Sequence, residues 1–347
     1  MTLKLNPHQQ LLWKTPFEAQ IGFGKKQVNL SELSLAQEKF IDALYQGIAP
    51  NQVSAVANQS KLAIAQAQKL VEQLEPLMLK RLANPQHESI PLEVDRAFAE
   101  IVRASLNTSS DGEAVLLARA SRVVYIEKLD ATGLTLLNAL AVAGVGTVIT
   151  DDSSAVLNKD VSAAGFPQSL LGKKRVAAAQ LMLEASHSKL RLIGPARIRP
   201  KHFDGASMAF ISAQQIIDPQ AYSRWVNRQT AHIAVVYDAV GAWVSGTIRA
   251  GKTQCLYCEQ ISKLNSDASW AAVGAQLISS TLRFDDQSTR LLAVGLVAQE
   301  MLTELDRMAG FGQEAEHRGF RIDREGGTVS EISWAQQLDC SCQLLTK

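Results

Sequence analysis

The alternation of apolar and polar positions changes character along the chain. Between Leu11 and Leu30, two short apolar stretches flank Lys14-Thr15-Pro16, and Gly22-Phe23-Gly24-Lys25-Lys26 supplies a glycine-rich turn. Short strands separated by such turns predict a small β-meander. From Ser34 the period lengthens. Leu35, Phe40, Ala43 and Leu44 share one helical face, so Ser34 is expected to cap a helix through Tyr45. Asn51 and Ser60 are candidate caps for two further helices, the last running toward Leu82. Strands followed by three helices, the third long, are the ingredients of a small winged-helix-like α+β module over residues 1–85. Residues 86–114 read as a linker, with a polar stretch between Pro85 and Pro91, a bridging helix over Leu92–Leu106 and a loop-forming run at Asn107–Gly112.

Through residues 115–347, apolar strands alternate with helical stretches. This predicts an α/β domain whose parallel sheet is covered by helices on both faces. Arg122–Ile126 is the first strand, Leu134–Ala143 its helix, Gly144-Val145-Gly146 the return and Thr147–Thr150 the second strand, which ends in Asp151-Asp152. A strand, helix and second strand ending in a carboxylate form a nucleotide-binding unit whose terminal acid accepts ribose hydroxyls. The first turn departs from that unit. Where G-x-G-x-x-G is expected, Lys128-Leu129-Asp130-Ala131-Thr132-Gly133 keeps only the third glycine.

At 347 residues and 46% hydrophobic content, the chain has material for two domains and a sizeable core. Its 35 basic and 34 acidic residues nearly cancel, so no global field draws it to nucleic acid or an anionic surface. This bears on the amino-terminal module, whose default function would be DNA binding. From Ser31 to Lys80, Lys39, Lys61, Lys69 and Lys80 stand against Glu32, Glu38, Asp42, Glu72 and Glu75. A helix that neutralises phosphates needs a basic face, so a peptide-binding or architectural role is favoured over nucleic acid. No apolar run approaches the roughly 20 residues of a membrane span, and the amino terminus lacks a basic stretch followed by an apolar one. The expectation is a cytoplasmic protein with no membrane partner.

The chemistry-bearing residues are few. Cys255-Leu256-Tyr257-Cys258 and Cys340-Ser341-Cys342 are two close pairs far apart in sequence. Two chelating half-sites close a tetrahedron around zinc with no open position, which makes the site structural. Two disulfides or four unrelated buried thiols are the alternatives. With all four on metal, no thiol remains as a nucleophile. His232 reads either as a hydrogen-bonded core histidine or as a group that orients a ligand, and Asp218 before Pro219 as a helix cap. Trp225, Trp243, Trp270 and Trp334 fall in the carboxyl half, as core or interface.

Ala143-Gly144-Val145-Gly146, the strand into Asp151-Asp152, then Val156, Asp160, Gly172-Lys173-Lys174-Arg175 with Val176-Ala177-Ala178-Ala179, and finally the two cysteine pairs follow one order. It resembles that of the ThiF/MoeB and ubiquitin-activating-enzyme superfamily across residues 115–347. With Trp270, Gln276-Leu277 and His232, the pattern is most similar to the ThiF-like component of azoline-forming (TOMM) cyclodehydratases. In those proteins an amino-terminal winged-helix-like element binds a precursor leader peptide, and Leu12-Trp13-Lys14-Thr15-Pro16 with Gln20-Ile21-Gly22 looks like its opening. The resemblance implies a Rossmann-like ThiF domain with a zinc-bound carboxyl half, ATP and magnesium as cofactors, and a magnesium-binding aspartate near Asp218.

Carried over residue by residue, the resemblance puts nucleotide-binding roles on Gly133, Asp152, Asp160 and Arg175. Lys128 and Asp130 replace the first two glycines, Asp160 an asparagine, Ala163 an arginine that reaches the phosphates, and Arg175 a lysine. Asp130 places a negative charge beside an expected triphosphate, and Ala163 leaves no guanidinium clamp. The reading is therefore a peptide-binding partner in ribosomal peptide modification with a degenerate nucleotide site and no catalytic residue assigned, in which ATP and magnesium are doubtful. The alternative is an active ATP-dependent adenylyltransferase that activates a peptide or protein carboxylate. Expected partners are a precursor or leader peptide, a second modifying enzyme and a second copy of the chain.

Overall fold

The computed structural model describes residues 2–81, 94–186, 188–312, 317–338 and 340–342. They belong to two units, 1–117 with 311–313, and 118–310 with 314–347.

In the first unit the meander forms as its turns predict. Strands β1 (Leu11–Thr15), β2 (Glu18–Ile21) and β3 (Val28–Leu30) make an antiparallel sheet in that order. Helix α1 (Leu35–Gln46) starts at Ser34 through a reciprocal cap. The Gln37 N–H donates to Ser34 Oγ at 3.3 Å, and the Ser34 N–H donates to Gln37 Oε1 at 2.9 Å. The next two starts differ from expectation. Helices α2 (Val53–Gln59) and α3 (Ile64–Leu74) begin after Gln52 and Ala63, with no side-chain cap. Asn51 lies in a 3-10 turn opened by Pro50, and Ser60 ends α2 rather than starting α3. Nor does α3 reach Leu82: Pro76 cannot continue it, and the chain passes into a 3-10 turn at Glu75–Leu77. Leu5, Phe40, Ile41, Leu44, Leu70 and Leu74 build the core.

The polar stretch between Pro85 and Pro91 lies outside the described residues. The helix expected after it is α4 (Val94–Thr108), which belongs to this first unit. Ser105 is held to Asn6 by two buried hydrogen bonds, and Ile101 and Ala104 pack with Val115 and Leu116 of α5 (Gly112–Ala120).

The second unit is built on an eight-stranded sheet. In chain order it contains β4 (Val123–Ile126), α6 (Ala131–Val142), β5 (Thr147–Ile149), α7 (Arg175–Ala185), β6 (Arg191–Ile193), α8 (Pro200–Asp204), β7 (Met208–Gln214), α9 (Pro219–Asn227), β8 (Ala231–Tyr237) and β9 (Gly241–Val244). Helices α10 (Leu256–Ser266), α11 (Trp270–Ile278) and α12 (Gln287–Met308) follow, then β10 (Gly319–Asp323) and β11 (Val329–Ile332). The strand order is β11-β10-β9-β8-β7-β4-β5-β6. From β6 to β8 the pairing is parallel, in a doubly wound order. The sheet is not wholly parallel, because β9, β10 and β11 add antiparallel strands. Short returns allow this, as Asp238–Val240 is too short for a helical crossover.

Strands β7 and β8 lie inside the sheet, and their near-continuous apolar runs are buried on both faces. Close approach explains one glycine of the return after α6. A Cβ on Gly146 would stand 1.7 Å from the Ala120 carbonyl oxygen. Among the described residues, no helix is long and apolar enough to cross a membrane.

Candidate functional site

In doubly wound sheets, a cleft opens beyond the carboxyl ends of the strands where the order reverses, here between β4 and β7. A cavity of about 310 Å3 lies there. Lys128 and Asp130 line it from the β4–α6 turn, Thr132 from the first turn of α6, Ser212 and Gln214 from β7, Tyr237 from β8, Lys159 from a 3-10 turn, and Arg283 from the segment before α12. A second cavity of about 280 Å3 shares Lys128, Ser212, Gln214 and Ser280, and adds Glu127 and Asp218. Three cations line the first cavity against one carboxylate, although Lys128 and Arg283 also pair with Glu127 and Asp285.

Helix α6 begins three residues earlier than expected, at Ala131, because Asp130 caps it. Asp130 Oδ1 accepts the N–H groups of Thr132 at 3.1 Å and Gly133 at 3.2 Å, and its Oδ2 lies 4.0 Å from Arg283 Nη2. In a phosphate-binding turn those N–H groups face an external anion. Here the chain supplies its own. Burial pushes the Asp130 carboxyl above its ordinary range, against the Gly133 N–H and Arg283, which act in the other direction. Gly133 remains necessary for packing: a Cβ there would stand 1.8 Å from the Lys128 carbonyl oxygen.

Asp152, Asp160 and Arg175 come together, but not around the cavity. Arg175 binds Asp160 Oδ2 through Nη2 at 2.7 Å and Nε at 3.1 Å, and Asp152 Oδ2 through Nη1 at 3.3 Å. Asp152 also accepts the N–H groups of Leu129 and Ser154, both at 2.8 Å, so it is tied to the β4–α6 turn. Burial opposes its ionisation, but the Ser154 and Leu129 N–H groups and Arg175 outweigh that and hold its carboxyl below the usual range. All three residues are buried, at 7%, 0% and 5% exposure, and none lines the cavity. Ala163 is exposed and offers no phosphate ligand. The helix start is occupied by Asp130, and Arg175 is paired with two carboxylates.

The residues that do line the cavity are largely ones the sequence reading passed over. Ser212, Gln214 and Tyr237 are polar interruptions at the ends of apolar strands, which is the available signal for a strand-end site. Arg283 pairs with Asp285 at 2.8 and 2.5 Å, and Gln214 accepts the Phe284 N–H at 2.8 Å, so the two segments are fastened together.

The four cysteines converge. All are buried and free, with sulfurs within 4.8 Å of one another. The separations are 3.7 Å for Cys255–Cys258, 3.5 Å for Cys255–Cys340 and 3.7 Å for Cys258–Cys342. A tetrahedral zinc with Zn–S bonds of about 2.3 Å requires sulfur–sulfur edges of about 3.8 Å. The donor set therefore fits a closed four-thiolate zinc site, and none of these three sulfur pairs stands at disulfide bonding distance. The N–H groups of Cys258 and Gln337 point at sulfurs at 3.4 and 3.5 Å, and the Trp334 indole donates to the Cys255 carbonyl at 3.2 Å.

His232 is a core residue. It is fully buried in β8 with Nδ1 3.0 Å from the Thr230 carbonyl, and burial lowers its pKa to about 4. Asp218 caps α9, accepting the Gln220 N–H at 2.9 Å, and it also lines the second cavity. Trp225 is buried against Tyr125 and Phe203, apart from the other three tryptophans of the carboxyl half.

No family model and no curated protein matches the sequence. Solved structures do match in fold. The crystal structure of E. coli MccB with selenomethionine MccA has a TM-score of 0.69 at 14% identity, over 99% of this chain and 100% of that one. E. coli MccB with ATP gives 0.68 at 15% identity, over 99% and 100%. MccB is also known as the microcin C7 biosynthetic enzyme, in complex with N-formylated MccA. PaaA gives 0.57 at 14% identity, over 78% of this chain and 91% of that one. At these identities the likeness is one of fold.

Proposed function

We propose that the chain is a ThiF-like, peptide-binding partner in ribosomal peptide modification, whose nucleotide site is degenerate. The observation that carries this reading is Asp130. An internal carboxylate takes the two helix N–H groups that would otherwise meet a phosphate, while Arg175 is locked by Asp160 and Asp152. The reading is supported by the fold shared along nearly the whole chain with MccB, which is seen both with a peptide and with ATP. The first unit serves as the winged-helix-like peptide-recognition module. Its hairpin carries Trp13 and Phe17 exposed, large apolar groups suited to a peptide. The second unit, stapled by zinc, docks a second modifying enzyme and pairs with another copy of the chain.

One feature favours the alternative, an adenylyltransferase acting on a peptide carboxylate: Lys128, Lys159 and Arg283 line the cleft at the strand-order reversal. ATP–pyrophosphate exchange with candidate peptides separates the two. The degenerate reading expects peptide binding without exchange, and peptide-dependent exchange would replace it with the alternative.

A further inference from the structure

The second unit contains a larger cavity that neither the zinc site nor the strand-end cleft uses. It measures about 520 Å3 and lies among α10, α11, the β8–β9 turn and the segment after β11. Three of the chain's five tryptophans line it: Trp243, Trp270 and Trp334. Their N–H edges are partly committed elsewhere, Trp270 to Gln260 Oε1 at 2.9 Å and Trp334 to the Cys255 carbonyl at 3.2 Å. Trp243 and Trp334 meet edge to face with centroids 5.9 Å apart.

Within this aromatic surround sits an ammonium. Lys263 Nζ is 4.6 Å from the Trp270 ring centre and 6.0 Å from that of Trp243, and 2.5 Å from Glu259 Oε1. Two indoles and a carboxylate around a cation form a cation–π cage. Its present guest is weakly held. Lys263 and Glu259 are one turn apart on α10, and the lysine side chain is 36% exposed, which is the weakest class of ion pair. Glu259, by contrast, is buried.

We propose that this cavity is a docking site for an arginine side chain on an extended peptide partner, which displaces Lys263. With Lys263 in place the two carboxylates and two cations of the lining cancel, so displacing it leaves a place for one cation. With Lys263 swung out, Glu259 and Asp238 remain against Arg321, which binds Asp238 at 2.7 Å through two nitrogens, so the lining keeps one uncompensated negative charge. Guanidinium is the better guest than ammonium, since it is planar, more weakly hydrated, stacks on indole and binds carboxylate through two nitrogens. An extended partner follows from the sheet. β11 is its outermost strand and runs directly into Ile332, Ser333 and Trp334 at the cavity wall. A strand added along that edge presents every second side chain to the same face. The proposal stands apart from the nucleotide-site reading and survives its failure.

The test uses the full-length protein and the probe N-acetyl-Ala-Arg-Ala-amide, followed through the indole N–H resonances of the tryptophans. The expected result is a saturable shift of Trp270 and Trp334 at millimolar probe, and none with N-acetyl-Ala-Leu-Ala-amide. Lys263→Ala empties the cage and should bind the arginine probe about fivefold more tightly, while Glu259→Gln should bind it about fivefold more weakly, within the range of cation–π and ion-pair effects. Equal shifts with the leucine probe, no tightening in Lys263→Ala, or no shift at about 10 mM probe in either protein would overturn the proposal.

Discussion

Replacing Asp130 by glycine should open the amino end of α6 to an external anion. The substitution frees the Thr132 and Gly133 N–H groups, now 3.1 and 3.2 Å from the carboxylate, and removes the weaker of the two carboxylate neighbours of Arg283, whose Nη2 is 4.0 Å from Oδ2 while Asp285 stays bound to it. Two unit charges about 4 Å apart interact by about 1 kcal/mol in water and about 4 kcal/mol at the effective dielectric of a protein surface. Removing that repulsion should therefore raise affinity for magnesium–ATP by about fivefold at least, and by several hundredfold at most, at about 1.4 kcal/mol per tenfold. The folding cost is small, since glycine at an N-cap loses only a few tenths of a kcal/mol against about 1 kcal/mol for alanine.

Calorimetric titration of ATP reads the first quantity, and thermal unfolding reads the second. Burial holds the Asp130 carboxyl above its ordinary range, so the difference between variant and wild type should widen with rising pH as the wild-type carboxylate ionises. Micromolar ATP binding by the wild type, or equal affinities at every pH, would show that Asp130 does not exclude phosphate.

Four further outcomes are expected. Metal analysis should find about one zinc per chain, and Cys258→Ser should release it and destabilise the second unit, because structural zinc supplies on the order of 10 kcal/mol; metal-free protein purified without chelator would refute this. The full chain should bind a precursor peptide in preference to duplex DNA at physiological salt, and the reverse order in a competition assay would overturn the peptide reading. The His232 ring should remain neutral at pH 5 by nitrogen NMR. With its pKa lowered by burial to about 4, the unfolded chain takes the proton first, so stability falls as pH drops from about 6.5 toward 4. Asp286 caps α12, and although burial opposes its ionisation, Ser288, Thr289 and Arg324 hold its carboxyl at about 2. Its contribution is present above the ordinary value of 3.8 and is lost as pH falls through 2. Asp286→Ala should thus cost about 1 kcal/mol at pH 7 in chemical denaturation, and progressively less as pH falls from 3.8 toward 2.

What the sequence determined by itself is local. Ser34 and Gln37 are three residues apart, and a capping box needs nothing more distant. The Cys255–Cys258 and Cys340–Cys342 spacings announce chelation, because each pair spans less than one turn of chain. Strands β4 and β5 were legible because burial on two faces leaves unbroken apolar runs. Even local reading had its limit at Asp130, where the replaced glycine is visible but the helix start it caps is not.

The candidate cleft was decided by tertiary structure. Ser212 and Tyr237 meet because the parallel sheet aligns the carboxyl ends of strands far apart in sequence, Lys159 and Arg283 reach them from loops beyond those ends, and no periodicity within one segment encodes that meeting. The same holds for Arg175: its charge reads as a phosphate ligand until the fold brings Asp152 and Asp160 onto it. Local propensity acts over a turn or two of chain, whereas a site is made by packing, which selects partners by distance in space.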